Sequence, residues 1–429
     1  MKEMLIKSAN LSEKLNDEIR EYLKNIFESS NINFLIGAGY SAGILKTLGN
    51  IESILEILQK KNNEDYKFLE AITLWRFFTD CIYPINDVIS DNEKLEKSHY
   101  FLRELFNLIE KRGNTVYRKK VNIFTTNYDP FIEISFEKNR IEYNDGFLGR
   151  IDPYFCTANY NRIIKKCTLF SDKESDFPMF NLFKLHGSTT WEVKSNDDMM
   201  GYQNIESANI IFKNKYSSLF EPYNDLSKEF SVIQTNEINE KKIEEMNIKL
   251  QKKVKEYNLD MSNINSEGIG FINEYKEQFR IVNPTKEKFN NTVFNKTYYE
   301  LLRVYSNELE KQNSTLLVFG FSFADEHILE ITQRSLNNPT LQMIIFSYRK
   351  EAFEDYKKKF DGFRNITIIG IDDLEIDETL RMNEEAITAA GEICSDKSGS
   401  SIIAAPKNNR IKQVIDLEKL TEIFSSILL

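Results

Sequence analysis

Two rhythms of apolar residues run through this chain. Between residues 15 and 27, Leu15, Ile19, Tyr22, Leu23, Ile26 and Phe27 recur at helical spacing. The next run, 33–36, is short and rich in Phe, Leu and Ile, and glycines end it, so it reads as a buried strand entering a turn. Helical spacing returns over 51–58 (Ile51, Ile54, Leu55, Leu58), over 66–78, and over 95–109 (Leu95, Leu102, Leu105, Phe106, Ile109). Further short apolar runs at 121–126, 180–185, 315–319, 341–347 and 366–371 read as strands, with a charged helix between the last two. Pro130 allows a helix to start after the run at 121–126.

Strand, loop and helix in repetition predict an α/β fold, a Rossmann-like parallel sheet flanked by helices. The region 205–312 interrupts that rhythm. Its mixed-charge stretch at 237–257 reads as a solvated helix or hairpin arm. Residues 383–410, rich in Ala, Ser, Gly and Asn, read as a flexible linker. Ile411, Val414, Ile415, Leu420, Phe424 and Ile427 then predict a C-terminal helix that docks on its own domain. The expected organisation is one domain over 1–380, with helical insertions at about 50–115 and 205–312, then linker and helix over 381–429.

Composition narrows the function classes. With 41% apolar and 12% aromatic residues, the 429-residue chain can bury a sizeable core. Its net charge of -10 and its lack of a basic block oppose binding to a phosphate backbone, so no direct nucleic-acid contact is expected. No apolar run is long enough to span a bilayer, and residues 1–7 lack a signal-peptide pattern. Cys81, Cys156, Cys167 and Cys394 are scattered without close pairs, so neither a zinc site nor a disulfide framework is expected. A cytoplasmic protein with reduced thiols and no membrane association is the expectation.

The candidate chemistry lies where strands end. Gly37, Ala38, Gly39, Tyr40 and Ser41 follow the first strand, and Gly37-x-Gly39-x-x-Ala42 fits the dinucleotide pattern. Glycine lets the backbone approach a ligand, and a helix starting there would aim its N–H groups at a pyrophosphate. The other strand ends carry Thr125, Thr126, Asn127, Tyr128 and Asp129; His186, Gly187 and Ser188; and Gly320, Phe321, Ser322 and Asp325. Parallel strands bring all four loops to one edge of the sheet, where open α/β sheets bind ligands.

In these residues the chain resembles the sirtuin family of NAD-consuming proteins, over roughly residues 30–350 without the insertions. The GAGxS loop is matched by Gly37, Ala38, Gly39 and Ser41. The T-Q-N-x-D signature is matched by Thr125, Asn127 and Asp129, with Thr126 where glutamine is usual. His186 and Gly187 match the histidine-glycine pair, and Gly320 and Ser322 match the late G-T-S loop. The chain lacks the G-I-P-x-F-R segment and the four-cysteine zinc ribbon of protein-deacylating sirtuins. With Gly320, Ser322 and Asp325 as Gly-x-Ser-x-x-Asp, it looks more like the sirtuin-like effectors of bacterial anti-phage systems. Those hydrolyse NAD, and some associate with a hexameric HerA-type ATPase.

The resemblance implies an NAD+ glycohydrolase that releases nicotinamide and ADP-ribose, with Asn127 and His186 as catalytic residues. Gly37, Ala38, Gly39, Ser41, Thr125, Asn127, Asp129, Gly320, Ser322 and Asp325 would hold NAD, with no metal. It also implies a homo-oligomer and a HerA-type partner. Cleavage of the nicotinamide–ribose bond passes through an oxocarbenium-like state, and a histidine titrating near neutrality suits the general base. The bland readings stand beside these: Asn127 as a turn former, Asp129 as a cap, and Asp325 as the N-cap of the helix through Ile328 and Ile331. His99 and His327 sit in helical surroundings and read as non-catalytic. Rival functions are an NAD-dependent deacylase and a non-catalytic NAD or ADP-ribose sensor. No G-x-x-x-x-G-K-[ST] occurs, which excludes P-loop chemistry.

Overall fold

Each of the six apolar runs expected to be a strand forms one, and all lie side by side in one sheet. The computed structural model describes residues 6–9, 17–46, 51–61, 63–113, 116–168, 171–194, 199–232, 238–281, 292–371 and 414–428. The linker expected over 383–410 lies outside them. The sheet strands are β1 (Ile6–Ala9), β2 (Asn31–Ile36), β3 (Lys120–Thr125), β4 (Tyr143–Asn144), β5 (Met179–Lys184), β6 (Ser314–Phe319), β7 (Gln342–Phe346) and β8 (Ile366–Ile371). Their order is β1-β8-β7-β6-β2-β3-β5-β4, with every pairing parallel. Sequence patterning missed β1 and β4, which are four and two residues long.

Side chains alternate between two covered faces, as a parallel sheet requires. Phe34, Ile36, Ile123, Leu182, Leu317, Phe319 and Phe346 enter one core with the helices Asp17–Ser29, Glu96–Glu110 and Leu417–Leu428. Leu35, Phe124, Phe183, Leu316, Val318, Met343 and Ile345 enter the other with the helices Thr292–Leu309, Glu326–Ser335 and Lys350–Lys359. The C-terminal helix docks on its own domain as expected. Phe424 places its ring 5.3 Å from Phe27, 6.1 Å from Phe34 and 5.7 Å from Phe101. Burying a ring of that size contributes about 2–3 kcal/mol.

A row of amides crosses the second face. Asn33, Asn122, Asn181 and Asn144 stand in register on adjacent strands. Asn122 Nδ2 donates to Asn33 Oδ1 (2.8 Å), and Asn181 Nδ2 donates to Asn122 Oδ1 (3.0 Å). Slipping a strand by one residue would strand these buried amides without partners, so the row fixes register.

The helices Ile51–Lys61, Lys67–Phe77, Ile205–Phe220, Asn224–Val232, Glu240–Glu256 and Met261–Gln278 build a separate core around Phe68, Trp75, Phe220 and Phe271. The charged helix Glu240–Glu256 is part of it: Ile243, Met246, Leu250 and Val254 are buried in a single stripe. It is therefore packed, not a solvated arm; charges on its other faces masked the stripe. Helix Glu96–Glu110 lies close in sequence to this lobe but covers the sheet instead.

Candidate active site

β2 sits where the connections reverse direction: the chain runs from β2 outward through β3 and β5, then returns to β6 on the other flank of β2. A crevice at such a point, outside the carboxyl ends of the strands, is where open α/β sheets hold ligands. The loops after β2, β3, β5 and β6 meet there.

The glycines of the first and last loops pack on each other. The Gly37 N–H donates to the Phe319 carbonyl (3.1 Å), and the Gly39 N–H donates to the Gly320 carbonyl (2.9 Å). A Cβ on Gly37 would lie 2.5 Å from the Gly320 oxygen, and one on Gly39 would lie 2.5 Å from Gly320 Cα. Gly320, at φ +64°, faces Gly39 just as closely. Backbone thus approaches backbone, which accounts for glycine at all three positions. Beyond Gly37 the chain makes only a short 3-10 turn, Ala38–Ser41. The long helix that would aim a dipole at a pyrophosphate does not start there; what the loop presents to solvent is Ala38 and Gly39.

Ser41, Asn127 and Asp129 form a buried knot between the loops after β2 and β3. Asn127 Nδ2 donates to Ser41 Oγ (3.1 Å), and Ser41 Oγ donates to Asp129 Oδ2 (2.9 Å). Asp129 Oδ1 accepts from the Phe131 N–H (3.2 Å) as helix Phe131–Lys138 begins. Buried Thr125 turns its Oγ1 to the Asn127 N–H (3.0 Å). The turn-forming side chains are therefore Thr125 and Asp129 rather than Asn127, and the N-cap position of helix Phe131–Lys138 is Pro130, not Asp129.

His186 follows β5. The Ser188 and Thr189 hydroxyls and the Thr189 N–H all donate to the Tyr128 carbonyl, which sews this loop to the Asn127 turn. His186 Nε2 lies 3.1 Å from Asp325 Oδ2, while Asp325 Oδ1 caps helix Glu326–Ser335 by accepting from the Ile328 N–H (3.0 Å). A carboxylate only accepts, so Nε2 carries the proton and Nδ1 is the basic nitrogen. Asp325 thus serves the histidine as well as the helix. Ser322 exposes its side chain, and its carbonyl accepts from Lys359 Nζ (2.7 Å).

Two charged residues beneath the loops escaped sequence reading. Lys184 Nζ donates to the carbonyls of Asp129 and Asn127 and pairs with Glu133 Oε1 at 3.0 Å. Burial raises the Asp129 carboxyl above its ordinary range, against the opposing pull of Lys184 and Ser41. Burial likewise pushes Glu133 up to about 7, again opposed by Lys184. The available signal was a lysine inside the buried run Met179–Lys184, a position lysine occupies only when paired. The helical lobe reaches the same turn: the Phe77 ring lies 5.8 Å from that of Tyr128, and Ile281 bridges to Gly187.

His99 lies elsewhere, its Nδ1 3.0 Å from Ser135 Oγ in a hydroxyl chain that continues through Ser98 to Tyr40. His327 is exposed on helix Glu326–Ser335. Among the described residues no helix is long and apolar enough to cross a membrane.

A family model described as "SIR2-like domain" matches residues 121–238. That stretch carries Thr125, Asn127, Asp129, Lys184 and His186. It associates the chain with NAD. A search of curated proteins finds no match.

Proposed function

We propose that this protein is an NAD+ glycohydrolase, cleaving the nicotinamide–ribose bond with water to give nicotinamide and ADP-ribose. The observation that carries the reading is the His186–Asp325 pair (3.1 Å) at the carboxyl edge of a parallel sheet, beside the Asn127 turn. The donor set suits a dinucleotide: exposed residues Ala38, Gly39 and Ser322, and the buried polar side chains of Ser41, Asn127 and Asp129 beside them.

His186 takes a proton from water through Nδ1, and the adjacent Asp325 carboxylate stabilises the imidazolium that results. The water oxygen bonds to the ribose carbon, and the broken glycosidic bond leaves its electrons on nicotinamide, which departs neutral. Asn127, with Nδ2 committed to Ser41, offers Oδ1 to hold the water or a ribose hydroxyl without adding a charge. The buried Ser41–Asp129 bond keeps that amide fixed, so orientation costs nothing at the moment of reaction. The proposal extends to the setting the resemblance implies: NAD depletion in anti-phage defence, by a homo-oligomer that a HerA-type ATPase engages.

The test is nicotinamide release from NAD by the purified chain without acylated peptide, alone and with a co-expressed HerA-type ATPase. His186→Ala is expected to lower it about 10³-fold and Asn127→Ala about 10²-fold. NAD that binds without turnover in both settings would replace this reading with a sensor.

A further inference from the structure

Lys184 is 1% exposed, yet its ammonium is the hub of the site. It ends β5, paired in register with Thr125 at the end of β3, and His186 follows two residues later. From there Nζ reaches across to the carbonyls of Asn127 (3.4 Å) and Asp129, the residues on either side of Tyr128. Glu133, in the first turn of helix Phe131–Lys138, meets the ammonium at 3.0 Å. A single buried cation therefore binds the Asn127 turn, the start of the following helix and the strand that delivers His186. Ser41 and Asp129 fix the side chain of Asn127, Thr125 holds its N–H, and Lys184 holds the carbonyls of Asn127 and Asp129.

A buried ammonium loses its hydration, and a well-packed apolar residue would fill the position at no greater cost to stability. Its presence needs another reason. Donors aimed at two carbonyls of one turn provide it, because they define where the turn sits.

We propose that Lys184 is a positioning residue of this active site, holding the backbone of the Asn127 turn in place against His186, with the Glu133 carboxyl as its partner. The proposal rests on the hydrolase reading for its kinetic part and on geometry for the rest.

Replacing Lys184 alone leaves Glu133 buried without its cation, so the test in the full chain is the double variant Lys184→Met/Glu133→Leu, beside the milder Lys184→Gln. Hydrogen exchange by mass spectrometry reads the turn at 126–131, and nicotinamide release gives kcat and KM. In the double variant the turn is expected to exchange at least about tenfold faster while the β2 and β6 peptides keep their protection. The accompanying kcat should fall about 10–100-fold with KM within about threefold, and Lys184→Gln should lie between. Wild-type exchange at 126–131 in either folded variant overturns the proposal, as does an unchanged kcat. Exchange does not depend on turnover: if the wild type released no nicotinamide, the hydrolase reading would fall while the exchange data still decided what Lys184 holds.

Discussion

The two halves of the site differ in what water reaches. Ser41, Asn127 and Asp129 are 5%, 6% and 4% exposed, over a Lys184 that is 1% exposed. On the other side Ala38, Gly39 and Ser322 are open, and the side chains of His186 and Asp325 are 19% and 14% exposed. In the closed half the Ser41 hydroxyl, the Asp129 carboxylate and the Lys184 ammonium are committed to holding the loops in place. In the open half, solvent reaches the backbone and part of the imidazole. Rigid support and ligand contact have been divided between loops that leave the same sheet edge, so substitutions in the two halves should fail in different ways.

The largest expected effect comes from the seam that joins them. Gly39→Ala drives a Cβ to 2.5 Å from Gly320 Cα, backbone against backbone, where no side-chain motion relieves it. Urea unfolding is expected to show a loss of about 2–3 kcal/mol. Gly43, at φ +84° with nothing within 4 Å of its Cβ position, is the control, and Gly43→Ala should cost about 1 kcal/mol from backbone strain alone. Equal losses at both positions would mean that loop-on-loop packing is not why Gly39 is glycine.

That seam marks where sequence reading stops. The strands were legible because parallel strands covered on both faces are continuous apolar runs, and Asn31–Ile36 and Ser314–Phe319 are such runs. The four loops were legible from their small polar residues. What the loops do to one another was not, because Gly39 and Gly320 are far apart in the chain and meet only through the sheet order. The same is true of Lys184: a lysine code letter carries no sign of which carbonyls it will find. Helix Glu240–Glu256 was misread for a related reason, its abundant charges concealing a stripe of four buried apolar residues.

A mid-sized effect separates the two roles of Asp325. Asparagine caps helices as well as aspartate, so Asp325→Asn should keep the bond from the Ile328 N–H and leave unfolding free energy within about 0.5 kcal/mol. It removes the charge that faces His186 Nε2. Nicotinamide release is then expected to fall about 10–100-fold. Wild-type turnover in Asp325→Asn would reduce Asp325 to a helix cap and weaken the division drawn between the halves.

The last effect lies in the closed half and appears as a pH dependence. Glu133 is raised to about 7 in the folded chain, above its ordinary carboxyl value of 4.5, chiefly by burial. Between those pH values the folded protein holds a proton that the unfolded chain has released, so this group favours folding most below pH 4.5. That contribution is lost as pH rises toward 7 and is absent above it. Glu133→Gln removes the titration, so the difference in unfolding free energy between variant and wild type should change steadily from pH 4.5 to 7 and then level off. Urea titrations at pH 5, 6, 7 and 8 measure it. A difference that stays constant across that window would mean that Lys184 holds Glu133 ionised throughout, and that the closed half is an ion pair at every working pH.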